Sequence, residues 1–279
     1  MHRRSSIVGR PAPVVLLVLC VLSADPAAAQ DRLRMSANVG QQTTSTTVSQ
    51  EASFDRYFEQ GASTFEREVP KAVIYDFGAS VRLWRELYAG AAVSIFETTG
   101  DGTLTARVPH PLQFNKPRTT TGDIANATRT EIGTHITFGW MIPAASGLDF
   151  LLFAGPSIFI TEELFVNSLT LSLDKEVFPF DELAFPGAET ETLRESVAGY
   201  HMGVDMTWRF ADHFGVGLLL RYSNGGRAFT PTGSQPVEVT AGGLHAGGGL
   251  RVLFNSFGSS RKPQPPPKPP PPKQPPKSK

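Results

Sequence analysis

Ionisable side chains recur at alternate positions in several segments of this 279-residue chain. The set contains six arginines, four carboxylates and three histidines: Arg34, Asp76, Arg82, Arg129, Glu131, His135, Asp149, His201, Asp205, Arg209, Arg221, His245 and Arg251. Histidines and carboxylates can act as general acids and bases, whereas arginine binds carboxylates through paired hydrogen bonds. The balance of arginine and carboxylate favours ion pairing over catalysis, because buried charges are tolerated when they are paired.

Catalytic motifs are missing from the sequence. No Gly-x-Ser-x-Gly elbow, His-Glu-x-x-His zinc motif or phosphate-binding glycine loop is present. The glycines at 242, 243 and 247–249 lie in a strand-like segment with no helix after it. We therefore predict a non-enzymatic protein without a cofactor or metal. A histidine, a serine and an acid together at a lipid-facing rim would instead indicate lipid modification.

The elements that must position the ionisable residues are β-strands, because small or polar residues alternate with apolar ones. In the last segment, one face of the strand contains Leu244, Ala246, Gly248, Leu250, Val252 and Phe254. The other face contains Gly243, His245, Gly247, Gly249 and Arg251. Residues 198–210 repeat the pattern. Small and polar residues are expected inside a barrel and apolar ones outside. A soluble lipocalin-like barrel is the main alternative, and it would bury its apolar face.

Eight segments have this strand character: residues 33–41, 72–83, 87–96, 128–142, 148–160, 198–210, 214–223 and 244–254. Their connections alternate in length, being long at 48–70, 97–127 and 161–194 and short at 84–86, 143–147 and 211–213. This predicts an all-β, antiparallel up-and-down transmembrane barrel with short periplasmic turns and long extracellular loops. Ten strands are the alternative, if residues 103–108 and 158–173 pair inside the membrane.

The inward-facing ionisable residues are expected to fill the barrel. An eight-stranded barrel encloses only enough space for its own side chains. The interior is therefore predicted to be a charged, hydrogen-bonded plug. The alternative is a narrow channel, in which the ion pairs separate and admit small solutes or protons.

Aromatic residues stand at the predicted ends of the strands. Trp84, Trp140 and Trp208 each lie near a short break, Phe214 follows the last break, and Phe254 ends the last strand. Such side chains favour the interface between membrane and water. They are expected to form interfacial girdles.

The first 29 residues have the features of a secretory signal peptide. Arg3, Arg4 and Arg10 precede an apolar run at 14–22, and Ala27-Ala28-Ala29 offers a cleavage site. Cleavage there would leave a barrel domain of residues 30–260. The lone cysteine, Cys20, would be removed.

The last 19 residues, 261–279, contain ten prolines and six lysines or arginines. Proline removes backbone donors and the like charges repel, so a disordered, semi-extended tail is expected. Such a tail could bind the carboxylates of peptidoglycan and act as a cell-wall tether, or it could be only a soluble terminus. It has no aromatic residue on which a base could stack, so nucleic acid is not expected as a partner.

The signal peptide, the eight amphipathic segments and the terminal aromatic Phe254 resemble the outer-membrane β-barrel domain family of the OmpA/OmpX-like eight-stranded type. The resemblance covers about residues 31–257 and implies a fold and a location rather than a reaction. It implies insertion in the outer membrane among lipid and lipopolysaccharide, with a periplasmic tail. An envelope-structural or surface-interaction role is expected.

Overall fold

The structure is a computed structural model that describes residues 33–145, 147–170, 178–181, 183–185 and 187–254. Its strands are β1 Leu33–Gln42, β2 Thr46–Arg56, β3 Glu59–Val69, β4 Val73–Trp84, β5 Leu87–Val108, β6 Arg118–Ala145, β7 Leu148–Leu169, β8 Ala188–Arg209, β9 Phe214–Phe229 and β10 Val237–Phe254. The predicted signal peptide and the predicted tail lie outside the described residues. Within those residues, no helix is long and apolar enough to cross a membrane.

Eight of the strands close a ring. Antiparallel pairs run from β1 to β4 and through β5, β6, β7, β8 and β9 to β10. The ring closes where β10 pairs with β1, from Leu33 opposite Phe254 to Gln42 opposite His245. The predicted all-β, antiparallel up-and-down barrel is confirmed.

The other two strands, β2 and β3, form a hairpin that continues β1 and β4 beyond the ring. β2 pairs with β3, and β3 pairs with β5 over Ala62–Arg67 opposite Gly102–Arg107. Only residues 43–45 separate β1 from β2, and residues 70–72 separate β3 from β4. The barrel therefore continues above the ring as a second tier, which we call the extension.

Several predicted loops are strands in the structure. Residues 48–70 belong largely to the hairpin β2–β3, and the connection predicted at 97–127 shrinks to residues 109–117. The segments 103–108 and 158–169 continue β5 and β7 rather than adding strands of their own. The long loops predicted at 48–70 and 97–127 were wrong, because these segments are rich in Thr, Ser and Glu, which resemble loop composition but here are exposed on the outside of the extension.

The ring and the extension bury the same inward face of each strand but line it with different residues, as β5 shows. Within the ring, Ile95 is exposed on the outside and Ser94 is buried inside. Farther along the same strand, the outward residues Thr99 and Thr103 are exposed, while Leu104 is buried inside. The ring therefore has an apolar outside, whereas the extension has an apolar inside.

All eight strands of the ring expose large apolar side chains on their outer face. Examples are Met35, Val39, Tyr75, Phe77, Ile95, Ile136, Phe138, Leu152, Ile158, Met202, Leu218, Leu220, Leu244 and Leu250. The core of the extension is made instead of buried apolar residues: Val48, Val69, Ile74, Phe96, Phe159, Phe165, Val197, Phe229, Val237, Val239 and Ala241. A smaller cluster of Phe65, Leu104 and Val166 lies nearer the outer end.

Candidate functional site: the lumen network

Asp205 of β8 is the centre of a buried ion-pair cluster near the short-turn end of the lumen. Arg34 Nη2 donates to Asp205 Oδ1 at 2.9 Å, and Arg34 Nη1 donates to Asp149 Oδ1 at 2.9 Å. Arg251 Nη2 donates to Asp205 Oδ2 at 2.6 Å. Thr207 also donates to Asp205, at 3.0 Å. Each carboxylate is therefore compensated by at least one guanidinium, as buried charge requires.

A second cluster continues upward from Arg251. Arg251 Nη1 donates to Asn38 Oδ1 at 2.6 Å, and Asn38 Nδ2 donates to Asp76 Oδ1 at 3.1 Å. Arg221 Nη1 donates to Asp76 Oδ2 at 2.6 Å. Asn38 thus joins two ion pairs into one connected network.

His245 extends this network to Gln42. Its Nδ1 lies 3.4 Å from Arg221 Nη2, and its Nε2 lies 3.2 Å from Gln42 Oε1. Because a guanidinium only donates and a carbonyl oxygen only accepts, these contacts fit a neutral ring protonated on Nε2. His245 therefore serves as a bridge between an arginine and an amide.

His135 and His201 bind hydroxyl groups rather than the arginines and carboxylates. His135 lies 3.0 Å from Ser94 Oγ and 2.9 Å from Ser157 Oγ. His201 lies 2.9 Å from the same Ser157 Oγ and 3.1 Å from Thr137 Oγ1. The five side chains form a continuous hydrogen-bonded row across the barrel.

This row pairs serines with histidines, as nucleophilic catalysis would require. Ser94, Ser157 and both histidines are almost completely buried. The small cavity inside the ring is lined by Thr137 of this row but not by Ser94, Ser157, His135 or His201. The described residues also contain no group of three or more His, Cys, Asp or Glu side chains that could hold a metal ion.

A third cluster lies above the row, at the base of the extension. Arg129 donates to Glu163 at 3.1 Å and to Glu131 at 3.2 Å. Glu131 also accepts from the backbone N–H of Gly242 at 2.9 Å, and Arg67 donates to Glu163. Two buried arginines are therefore paired with two buried glutamates.

Arg67 and Glu163 are the residues of this cluster that the sequence analysis missed. Both lie in segments predicted as loops. The signal that could have identified them is their position in the period-two rows Phe65, Arg67, Val69 and Thr161, Glu163, Phe165. In each row, the charged residue lies between two residues that face the inside of the barrel. The residues next to it in the sequence face outward.

Two predicted lumen residues lie at the rim instead of the interior. Arg82 is only half-buried, and its Nε donates to the carbonyl of Arg85 in the β4–β5 turn. Arg209 remains partly exposed and lies 3.4 Å from Asp149 Oδ2. Both residues are within a few positions of the strand end, where alternation no longer directs a long side chain into the barrel.

The predicted interfacial aromatics lie near the turn end of the ring. Trp84, Trp140, Trp208 and Phe214 are each about half exposed or more, and Phe254 is partly buried. The guanidinium of Arg85 lies 4.7 Å from the ring centroid of Trp84. These rings encircle the end of the barrel at which the turns are short.

Free space inside the ring is small. One cavity of about 60 Å³ lies beside Arg34, Asp76 and Asp205. Above the network, Phe96, Phe159, Phe165 and Phe229 are each at most 1% exposed. The lumen is thus filled first by paired charges and then by a packed apolar layer.

No protein-family model matches the sequence, and no curated protein matches it. Solved structures with a similar fold include Neisserial surface protein A, at 11% identity and a TM-score of 0.37, covering 80% of this chain and 97% of that one. The N-terminal β-barrel domain of OprF from Pseudomonas aeruginosa has 12% identity and a TM-score of 0.34, covering 81% and 98%. The outer membrane protease OmpT from Escherichia coli has 12% identity and a TM-score of 0.42, covering 79% and 97%.

Proposed function

We propose that this protein is an integral outer-membrane β-barrel with a sealed lumen, serving envelope structure or surface interaction through its extension. The observation that carries the proposal is the reversal of polarity between the inward and outward faces along the strands. The ring has an apolar outside around a charged inside, and the extension has a polar outside around an apolar core.

The outer face of the ring supports insertion in lipid. Large apolar side chains are exposed on each of its eight strands, and contiguous apolar patches of that size are rare on soluble proteins. A closed ring also satisfies the backbone groups of every strand, as the hydrocarbon layer demands. A lipocalin-like soluble barrel would show the opposite arrangement.

The lumen contacts support a sealed barrel. Opening a path requires separation of ion pairs such as Arg34–Asp205 and Arg221–Asp76, which are buried and lie at 2.9 and 2.6 Å. Leaving one charge of a buried pair without its partner costs about 3–5 kcal/mol. The apolar layer at Phe96 and Phe159 would then still obstruct water and ions.

The first experiment tests the sealed lumen in a planar bilayer. The protein is refolded, shown to migrate differently on gels with and without boiling, and examined for single-channel currents. We expect no reproducible conductance steps. We also expect silence from the double variant Asp205→Asn/Arg251→Gln, because the phenylalanine layer is unchanged. Stable conductance steps from the unaltered protein would overturn the sealed lumen and favour the narrow channel.

The second experiment tests membrane insertion itself. Protein folded in vesicles with brominated lipids should show quenched tryptophan fluorescence, because Trp84, Trp140 and Trp208 are exposed on the outside of the ring. Folding in plain buffer without quenching by these vesicles would instead favour a soluble barrel.

A further inference from the structure

The outer end of the extension contains a cavity of about 340 Å³. It is formed by β2, β3, β5, the end of β7 and the loop near Gly233. Small-molecule pockets occupy roughly 300–1,000 Å³. The cavity is therefore large enough for a compact ligand, unlike the small space within the ring.

Apolar side chains form the walls of the cavity. Phe54, Phe65 and Leu104 contribute from β2, β3 and β5, and Val166 and Leu169 contribute from β7. Burial of an aromatic or aliphatic body against these walls would supply the hydrophobic part of binding.

Two glycines keep the cavity open. A Cβ atom on Gly61 would lie 2.4 Å from Phe54 Cε2, and one on Gly102 would lie 2.3 Å from Phe65 Cε2. The two phenyl rings therefore rest against bare backbone on the barrel wall. Because the rings lie against the wall, the centre of the mouth is left free.

Arg56 gives the rim of the cavity a positive charge. Its guanidinium lies 5.1 Å from the ring centroid of Tyr57, and Nη2 donates to the Tyr57 hydroxyl at 3.5 Å. No ion pair joins Arg56 to another residue in the part of the chain that the structure describes. Glu59, opposite it in register, accepts instead from the Asn115 backbone N–H at 2.7 Å.

The other polar groups of the cavity are less suited to bind an anion. Gln50 uses its amide on the backbone of Val166, with hydrogen bonds of 2.6 and 2.9 Å. Asp55 also lines the rim, but its carboxylate is exposed and repels anions. Arg56 is therefore the group that would recognise charge.

We propose that this cavity binds a small amphipathic anion, with a compact apolar body and a carboxylate. The apolar body contacts Phe54, Phe65 and Leu104. The carboxylate accepts charge-assisted hydrogen bonds from Arg56, which are stronger than neutral ones. An uncharged analogue of the same shape binds more weakly.

The test uses 4-fluorobenzoate as the probe and the folded protein in lipid nanodiscs. Fluorine NMR line broadening is measured as the protein is titrated, and empty nanodiscs correct for partition into lipid. We expect saturable broadening with 4-fluorobenzoate and weaker broadening with 4-fluorobenzamide.

Two pairs of variants locate the binding. Arg56→Gln should weaken binding about five- to tenfold, as loss of a charge-assisted contact predicts. Arg107→Gln removes the same charge from the exposed outer face near the same level, opposite Ala62, and should leave binding unchanged. Ala52→Trp should fill the cavity and abolish binding, while Ala62→Trp on the outer face should not.

Removal of the competing carboxylate should change the binding affinity in the opposite direction. Asp55→Asn should tighten binding, because it removes a carboxylate from the rim. Absence of saturable broadening would overturn the proposal, and so would equal effects of Arg56→Gln and Arg107→Gln. Each variant is first shown to fold by its heat-dependent gel mobility. Loss of ligand binding can therefore be distinguished from loss of the folded membrane barrel.

Discussion

Asp205 connects β8 to the two strands that close the barrel. Its carboxylate binds Arg34 of β1 and Arg251 of β10, and these strands are neighbours in the ring. The pairing across the lumen therefore supports the closure made by backbone hydrogen bonds. Loss of this carboxylate would leave two buried guanidinium groups with reduced compensation.

We expect Asp205→Ala to lower the free energy of unfolding by about 3–5 kcal/mol, as for other buried ion pairs that lose one partner. Urea unfolding in lipid vesicles, followed by tryptophan fluorescence, measures the change. Glu162→Gln is the matched control, because its 2.8 Å pair with Arg194 is exposed. The control should change stability by less than about 1 kcal/mol. An equally small effect of Asp205→Ala would contradict a structural role for the network.

For single residues, the alternation in the sequence indicates which side chains share a face of a strand. It does not indicate which side chains are in contact. Arg34 and Asp205 are 171 residues apart, and their contact depends on the cross-section of the closed barrel. The hydroxyl partners of His135 were likewise not predicted, because Ser94 and Ser157 carry no charge pattern. Local spacing contains no information on contacts across the lumen.

Glycine allows β1 and β10 to lie close together at the closing seam. A Cβ atom on Gly249 would lie 1.8 Å from the carbonyl oxygen of Ala37, and one on Gly40 would lie 2.4 Å from that of Ala246. Both conflicts are with backbone atoms, which cannot rotate away as a side chain can. The seam therefore tolerates no side chain at these positions without a shift of the strands.

We expect Gly249→Ala to destabilise the barrel by about 1–3 kcal/mol through this overpacking. The fraction of protein that acquires heat-dependent gel mobility should fall during refolding. Gly226→Ala is the control on β9, since a Cβ there would meet no atom within 4 Å. Identical refolding yields for the two variants would show that the seam is not closely packed.

The sequence predicted the strands of the ring well and those of the extension poorly. In the ring, apolar residues face outward and stand out against small or charged ones. The hairpin β2–β3 turns at Tyr57 and Phe58, which have φ values of 51° and 63°. Such turns favour Asn-Gly, so the usual hairpin signal is absent. Thr and Ser on the outer face also make these strands harder to distinguish from loops in the sequence.

The ring and the extension are expected to be separable. Gln41 pairs with Val73, and the Gln42 N–H donates to the Ala72 carbonyl at 3.0 Å, so β1 and β4 meet at the point where the hairpin leaves the ring. Replacement of residues 43–71 with Asn-Gly should preserve ring folding and heat-dependent gel mobility. It should also expose Leu104 and Val166, which pack against Phe65 in the full chain, and make the remaining part of the extension sensitive to trypsin, while the full chain resists cleavage there. Loss of heat-dependent mobility would show that the ring needs the extension.

The short breaks at residues 43–45 and 70–72 mark the level at which the ring ends and the extension begins. Below this level, strand length must match the bilayer, and each mismatch has a modest free-energy cost. Above this level, the strands stand in water, where two more residues per strand would keep the same faces inside and add height. The distance at which the loops are displayed can therefore change over evolutionary time without disturbing the part that lies in lipid.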